Sequence, residues 1–248
     1  MDKMLWISMS GAKENFHSLG VRSNNLANVS THGFKADFEN QRSMSVFADA
    51  YPTRAFAMTE RPGYNFEGGA MDVTNRPLDV ALQGPGFFAV ADAQGNEAYT
   101  RFGGFEVGSD GVLRTVSGHD VLDEGGSQIV LPMPLENLTI CDDGVITGRP
   151  LGSDSEVTEE YQRIKMVNPD LKEIEKGYDG FFRRIDGQLI DADPTVTLKA
   201  GMLEASNVNP VEELTNLIRI QRLYDAEIKM MQTSGDLDDA QNSLLSYT

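Results

Sequence analysis

Residues 4–28 read MLWISMSGAKENFHSLGVRSNNLAN, and the spacing of their apolar side chains decides how the chain is built. Leu5, Ala12, Leu19 and Leu26 recur every seven residues, and Met9, Phe16 and Ser23 follow the first three by four. That alternation draws one stripe along a helix and is the spacing of a coiled-coil seam. It predicts a helix over about 3–28. The helix stops where Asn24-Asn25-Leu26-Ala27-Asn28 runs into Val29-Ser30-Thr31-His32-Gly33, because asparagine tolerates left-handed backbone and Gly33 supplies a positive φ. Ala12 and Ser23 on the seam, with Gly11 beside it, allow another helix to come close.

The far end repeats the pattern. Leu217, Tyr224 and Met231 recur every seven residues, interleaved with Leu214, Gln221 and Ile228. Asn209 is placed to cap this helix, Pro210 suits its first position, and Glu212 and Glu213 oppose the dipole in its first turn. The helix is expected to reach about Leu245, with a break at Gly235. Each terminal helix then has an apolar face to bury.

Between them the vocabulary changes to glycine, aspartate and β-branched or aromatic residues in short runs. Residues 78–82, 87–90, 99–107, 112–116, 129–131, 138–140 and 196–198 are strand-sized and separated by turn signals. Asp110-Gly111, Asp143-Gly144 and Asp186-Gly187 fit hairpin turns that need positive φ. Calcium loops are the other reading of these aspartates, but the ligand spacing of an EF-hand is missing. The fold class that follows is α+β: N- and C-terminal amphipathic helices, a coiled-coil-like pair, flanking a mainly antiparallel β middle domain. The expected divisions are 1–35 for the first helix and its turn, 36–62 for an extended connector with room for a short helix, 63–200 for the β region, and 201–248 for the last helix. Residues 152–176, with Asp154, Glu156, Glu159, Glu160 and Leu171-Lys172-Glu173-Ile174-Glu175-Lys176, read as a surface helix or a mobile insertion.

Composition narrows the partners. The chain has 248 residues, enough for a sizeable core, and its 21 basic against 38 acidic residues give a net charge of -17. Nucleic acid and anionic membrane surfaces are poor partners for such a chain, which lacks a cluster of cations. The charge is uneven. Residues 1–35 carry Lys3, Lys13, Arg22 and Lys35 against Asp2 and Glu14. From residue 206 onward Glu212, Glu213, Asp225, Glu227, Asp236, Asp238 and Asp239 face only Arg219, Arg222 and Lys229. The two helices therefore differ in sign, which favours pairing one with the other, within or between chains; ordinary solvated faces are the competing explanation.

Chemistry is sparse. Cys141 is the single cysteine, expected as a buried thiol, so no intramolecular disulfide forms. His17, His32 and His119 share no metal-ligand spacing, and no phosphate loop, nucleophile elbow or dinucleotide fingerprint occurs. The opening residues form neither a cleavable signal core nor a membrane span. The expectations are no enzyme activity, no cofactor, no small-molecule substrate and no membrane insertion.

Several stretches resemble the axial proteins of the bacterial flagellum, the basal-body rod and hook family. Ser23-Asn24-Asn25-Leu26-Ala27-Asn28-Val29-Ser30-Thr31-His32-Gly33-Phe34-Lys35 resembles that family's N-terminal signature. Pro77-Leu78-Asp79-Val80-Ala81-Leu82-Gln83-Gly84-Pro85-Gly86-Phe87-Phe88 and Tyr99-Thr100-Arg101-Phe102-Gly103-Gly104-Phe105 resemble its strand region. Gly201-Met202-Leu203-Glu204-Ala205-Ser206-Asn207-Val208-Asn209-Pro210-Val211 matches the C-terminal signature, with Gln221-Arg222 downstream. The length, the opening Met4–Ala12 and the closing Gly235-Asp236-Leu237 look most like the proximal rod members; distal rod and hook-like subunits are the near alternatives. The acidic stretch 142–179 departs from the family pattern.

The resemblance implies a structural subunit whose terminal helices build an inner tube and whose β domain lies outside it. It further implies export through the flagellar type III apparatus without signal cleavage, a place in the rod across the periplasm, and other rod subunits as partners. Subunit packing then falls on Leu5, Met9, Ala12, Phe16, Leu19 and Leu26, and on Leu214, Leu217, Tyr224, Ile228 and Met231. Isolated helices with an uncovered stripe are marginal, so the ends are expected to order on assembly and to find their cover on neighbouring copies. The rivals are a β-rich cell-wall hydrolase and a secreted adhesin whose helices dimerise.

Overall fold

The computed structural model describes residues 2–48, 51–60, 63–151 and 158–245. The chain divides into two compact units. One holds Met1–Val29, Lys35–Glu67 and Asn207–Thr248; the other holds Ser30–Phe34 and Gly68–Ser206.

The first unit begins with α1 (Asp2–Ala27), followed by the strands β1 (Asp37–Phe38), β2 (Gln41–Ala48), β3 (Tyr51–Thr59) and β4 (Gly63–Tyr64). β1 pairs antiparallel with β4, and β2 with β3 as a separate ribbon in which Met44 faces Phe56 and Arg42 faces Met58. This ribbon occupies the region read as an extended connector, and no helix forms among its described residues. Its strands alternate small or polar residues with single apolar ones, a pattern too weak for hydropathy to register. It lies along α1: Ser10 Oγ donates to Ala57 O at 2.9 Å, and Thr59 Oγ1 donates to the Glu14 carboxylate.

The second unit contains β5 (Met71–Val73), β6 (Val80–Gln83), β7 (Phe87–Ala91), β8 (Glu97–Thr100), β9 (Phe105–Val107), β10 (Leu113–Thr115), β11 (Leu135–Ile140) and β12 (Val145–Pro150). It continues with β13 (Glu159–Arg163), β14 (Met166–Val167), β15 (Ile174–Lys176), β16 (Phe182–Arg184), β17 (Thr197–Ala200) and β18 (Met202–Glu204). The largest sheet has the order β14-β7-β8-β16-β15; β11-β12-β13 form a second, and the remaining strands of the unit pair two by two. The pairings are antiparallel, so the mainly antiparallel β middle expected from sequence is present. An apolar cluster forms its core: Val80, Phe88, Phe105, Leu113, Val121, Ile129, Ile146 and Ile164 are all fully buried.

Five local expectations change. Residues 158–176 form β13, β14 and β15 rather than a helix, because Ile164, Met166, Val167 and Ile174 are buried and the acids take the outer positions; Asp154 and Glu156 lie outside the described residues. The run 99–107 is two strands: the backbone passes so close at Gly103 that a Cβ would sit 1.8 Å from Val80 O. Residues 129–131 make only an isolated bridge, Val112 to Val130, and not a strand. Asp110-Gly111 and Asp143-Gly144 do close turns between paired strands, with φ of 80° and 85°, but Asp186-Gly187 does not. It turns the chain after β16, with Gln188 N donating to Asp186 Oδ1 at 3.0 Å. Cys141 is exposed, not buried, because it leads into the β11–β12 turn.

The chain closes with α2 (Pro210–Leu245), 36 residues without a break at Gly235. At about 1.5 Å per residue it is about 54 Å long. Asn209 caps it as expected, its Oδ1 accepting from Val211 N at 3.1 Å and Glu212 N at 3.4 Å.

Candidate assembly surface

Two helices with apolar stripes must hide them or present them, and this chain does both. α1 and α2 pack against one another antiparallel: Arg22 Nη1 meets Glu213 Oε1 at 2.9 Å, the rings of Phe16 and Tyr224 stand 6.2 Å apart, and Gly11 lies against Glu227. One face of each helix is therefore covered within the same chain, which the sequence reading had assigned to neighbouring copies.

The rows on these faces can be read directly. On α1 the inward positions include Ser8, Ala12, Leu19 and Leu26, with Ala12 at 5% exposure. Met9 and Phe16 turn outward, 48% and 66% exposed, and Leu5 is 38% exposed. On α2, Leu217, Tyr224, Ile228 and Met231 are half-buried, whereas Leu214 is 48% exposed. The row that accompanies Leu217, Tyr224 and Met231 against α1 is Glu213, Ile220, Glu227 and Ser234, one residue earlier than the Leu214, Gln221, Ile228 row. A hydropathy reading passes over it because three of its four members are polar. They fit for specific reasons. Glu213 is paired to Arg22, and Glu227 occupies the space left by Gly11, where a Cβ would lie 2.9 Å from Glu227 Oε1.

The signature segments turn out to be clamps. Asn25, fully buried, donates from Nδ2 to Asp37 O at 2.8 Å and accepts from Asp37 N at 2.9 Å, which ties the end of α1 to β1 as a strand neighbour would. Asn207 does the same work in front of α2: its Nδ2 donates to Asn65 O and Glu67 O at 2.8 and 3.0 Å, and its Oδ1 accepts from Ala36 N at 2.8 Å. Lys35, 2% exposed, donates to Glu67 O at 2.7 Å. From the sequence, Asn25 reads as part of the turn that ends α1 and Asn207 only as part of the C-terminal signature before α2. The signal available was their position beside helix ends with no exposed face of their own to serve.

In the second unit, Gly33 has φ 71° and donates to Glu204 O at 2.7 Å, and a Cβ there would lie 2.5 Å from Phe102 N. Glu204 also receives Arg101 Nε at 2.9 Å and Gly69 N at 2.9 Å, while Arg101 Nη1 donates to Gly84 O and Gly86 O. Burial, then the hydrogen bond to Glu97, pushes the Tyr99 hydroxyl upward, and Lys165 pairs with the same carboxylate at 2.8 Å. The Arg183 guanidinium holds Asp179 below the usual carboxylate range. Burial of Asp92 works against its ionisation, but the amides of Asn96 and Gln94 and the Arg183 guanidinium outweigh it, and its carboxyl is also lowered. Each perturbed group thus has a partner that braces a strand or turn. The histidines are scattered: His17 lies against Glu39, His32 is 3.7 Å from Asp72, and His119 stacks edge-on with Phe181. Among the described residues no helix is long and apolar enough to cross a membrane.

Paired terminal helices, asparagine clamps at both signatures and an antiparallel β unit are features of an axial structural protein, and the family comparisons agree. Residues 199–244 match the family model described as flagellar basal body rod FlgEFG protein C-terminal, and residues 81–148 match the flagellar hook protein FlgE/F/G D1 domain. The chain belongs to the flagellar basal-body rod family. It is 36% identical over 254 residues to the flagellar basal-body rod protein FlgF of Escherichia coli strain K12, covering all of both chains. It is 35% identical to FlgF of Caulobacter vibrioides, over 96% of this chain and 95% of that one. To the rod protein FlgG of Buchnera aphidicola subsp. Schizaphis graminum it is 34% identical, over 94% and 96%.

Proposed function

We propose that this chain is a structural subunit of the flagellar basal-body rod, of the proximal type, that assembles helically with other rod subunits and carries torque across the periplasm. The observation that carries the reading is the double-faced character of the terminal helices. One face is closed within the chain, and large apolar side chains such as Trp6, Met9, Leu223 and Leu237 stand exposed on the other. Exposed apolar surface of this extent marks an interaction site. A heterologous contact that does not close into a ring propagates a filament, which is what a rod requires. No catalytic role is part of this reading, and export is through the flagellar type III apparatus.

The test is genetic and biochemical. A strain lacking the chain is expected to be non-motile, to lack completed rods, and to recover both on complementation; isolated basal bodies are expected to contain the chain. Basal bodies without it, in a deletion strain that swims normally, would refute the reading.

A further inference from the structure

In the ribbon of the first unit one strand edge is used and the other is bare. Glu60 N donates to Asn40 O at 2.8 Å, so the alternation of an antiparallel ladder makes Arg42–Met58 and Met44–Phe56 the pairs that bond β2 to β3. The backbone N–H and C=O of Gln41, Ser43 and Ser45 then point away from β3, and those of Ala55, Ala57 and Thr59 away from β2. α1 serves the β3 edge, where Ser10 Oγ donates to Ala57 O at 2.9 Å. Among the described residues nothing serves the β2 edge: the ribbon has two strands, and residues 41–45 are all exposed with no backbone partner beyond β3. A bare edge is a template for another strand, and proteins blunt such edges with charges, bulges or shortness. Other outer edges of this chain are blunted in those ways. β13 carries Glu159, Glu160 and Arg163, β11 has Glu136 and an irregular register at the left-handed Asn137, and β15 is three residues long. β2 has eight residues and a single charge, Arg42.

We propose that the β2 edge receives the β2 edge of a second copy of this chain, antiparallel about a two-fold axis at Ser43, so that two ribbons merge into one four-stranded sheet. The strand's own sequence selects this occupant. With the axis at Ser43, Gln41 lies opposite the second copy's Ser45 and Ser43 opposite its counterpart, so all three residues with outward backbone meet the same three in reverse. An axis at Arg42 or Met44 would match only two of the three with one another, and at Arg42 it would also set like charges face to face. In the favoured register the only charge of the strand falls opposite the second copy's Met44, which is 47% exposed in the lone chain. The aliphatic stem of Arg42 covers that methionine while its guanidinium keeps Glu60 at 2.9 Å. Joining also strengthens the ribbon, since two strands alone are marginal and four are not. A two-fold contact cannot recur along a rod whose subunits all point the same way, so this dimer belongs to the free chain and parts before the subunit docks. The contact is thus additional to the rod reading and does not involve the terminal seams.

The experiment uses the full chain. Sedimentation velocity of the wild type is expected to show a dimer that dissociates on dilution. Ser43→Pro removes an outward N–H and leaves the bonds to β3 in place, so it should keep its Tm while the dissociation constant of the dimer rises at least about tenfold. A second arm holds even if that variant loses stability. Ser43→Cys in a Cys141→Ser background is expected to oxidise to a covalent dimer, because opposite residues of a bonded pair stand about 5.5 Å apart between Cα atoms, within reach of a disulfide. Ser45→Cys in the same background sets the two thiols about 13 Å apart along the strands and should cross-link at least about tenfold more slowly. A wild type that is monomeric at every concentration, or that polymerises without a dimer, overturns the proposal. So does a dimer that survives Ser43→Pro, or equal cross-linking from positions 43 and 45. The rod assignment is judged separately, by the presence of the chain in isolated basal bodies, so either conclusion can fail without the other.

Discussion

Removing both partners of the buried pair Arg101–Glu204 is expected to cost less than the sum of removing each alone. The side chains are 5% and 1% exposed and meet at 2.9 Å. Glu204→Leu strands the guanidinium in the interior with only the carbonyls of Gly84 and Gly86 to serve it, and it also leaves Gly69 N without its acceptor. Breaking a buried pair in this way costs about 3–5 kcal/mol. Arg101→Leu is equally severe, since it leaves a buried carboxylate without its counter-charge and takes the Arg101 donor from the carbonyls of Gly84 and Gly86. In the double variant both charges are gone and only the neutral backbone groups remain unpaired, at about 1–3 kcal/mol for each truly buried group. The two changes should therefore be non-additive by about 2–3 kcal/mol, inside the range seen for residues in contact. The assay is urea unfolding of the four chains of the cycle, followed by far-UV circular dichroism, which reports the strands. The lone tryptophan, Trp6, lies on α1 and is blind to this unit. Additivity within about 0.5 kcal/mol would mean that the pair is not coupled, and the account of Glu204 as the keystone of the C-terminal signature would be wrong.

Three further outcomes are expected. Gly33→Ala must place a Cβ 2.5 Å from Phe102 N at φ 71°, so the left-handed penalty of about 1–2 kcal/mol is a lower bound; a Tm equal to wild type would contradict the described approach. Asn25→Ala removes both bonds to the Asp37 backbone and should cost about 1–3 kcal/mol, read as faster hydrogen exchange at the Asp37 amide; unchanged exchange would remove Asn25 from its role as a clamp. Asp92 and Asp179 are both held below the ordinary aspartate value of 3.8, so the folded state binds fewer protons there than the unfolded one. The stability they contribute is complete above pH 3.8 and is lost as the pH falls from there through the lower folded values. Arg183→Gln should flatten the acid limb of Tm against pH, and an unaltered limb would assign acid sensitivity to other groups.

What could be read from residues alone followed the strength of the periodic signal. Leu5 to Leu26 and Leu217 to Met231 repeat strongly enough to locate both helices, and Asn209-Pro210 with Glu212 and Glu213 fixed a boundary because capping is local chemistry. Gly111 and Gly144 were legible for the same reason. Where tertiary contacts decide, the pattern fell silent. The ribbon of β2 and β3 has few large apolar residues and leans on α1 through Ser10 and Glu14, so nothing in its own sequence announces it. Residues 158–176 were weighed by their acids, yet Ile164 and Val167 carry the structural decision from inside. On the helices, the inward row of α2 is held by Glu213 and Glu227, whose fit depends on Arg22 and Gly11 at the far end of the sequence. No single-helix pattern contains that information.

The joint between α1 and α2 is built from modest materials. Serine, glycine, alanine and glutamate stand between its leucines, and among the described residues Ser8 Oγ and one oxygen of Glu213 lie buried there without a hydrogen-bond partner. Buried polar atoms left without partners weaken a joint relative to an all-apolar seam of the same length. For a subunit that docks through these helices, as proposed above, a clasp that reopens while the β unit stays folded eases incorporation into the assembly.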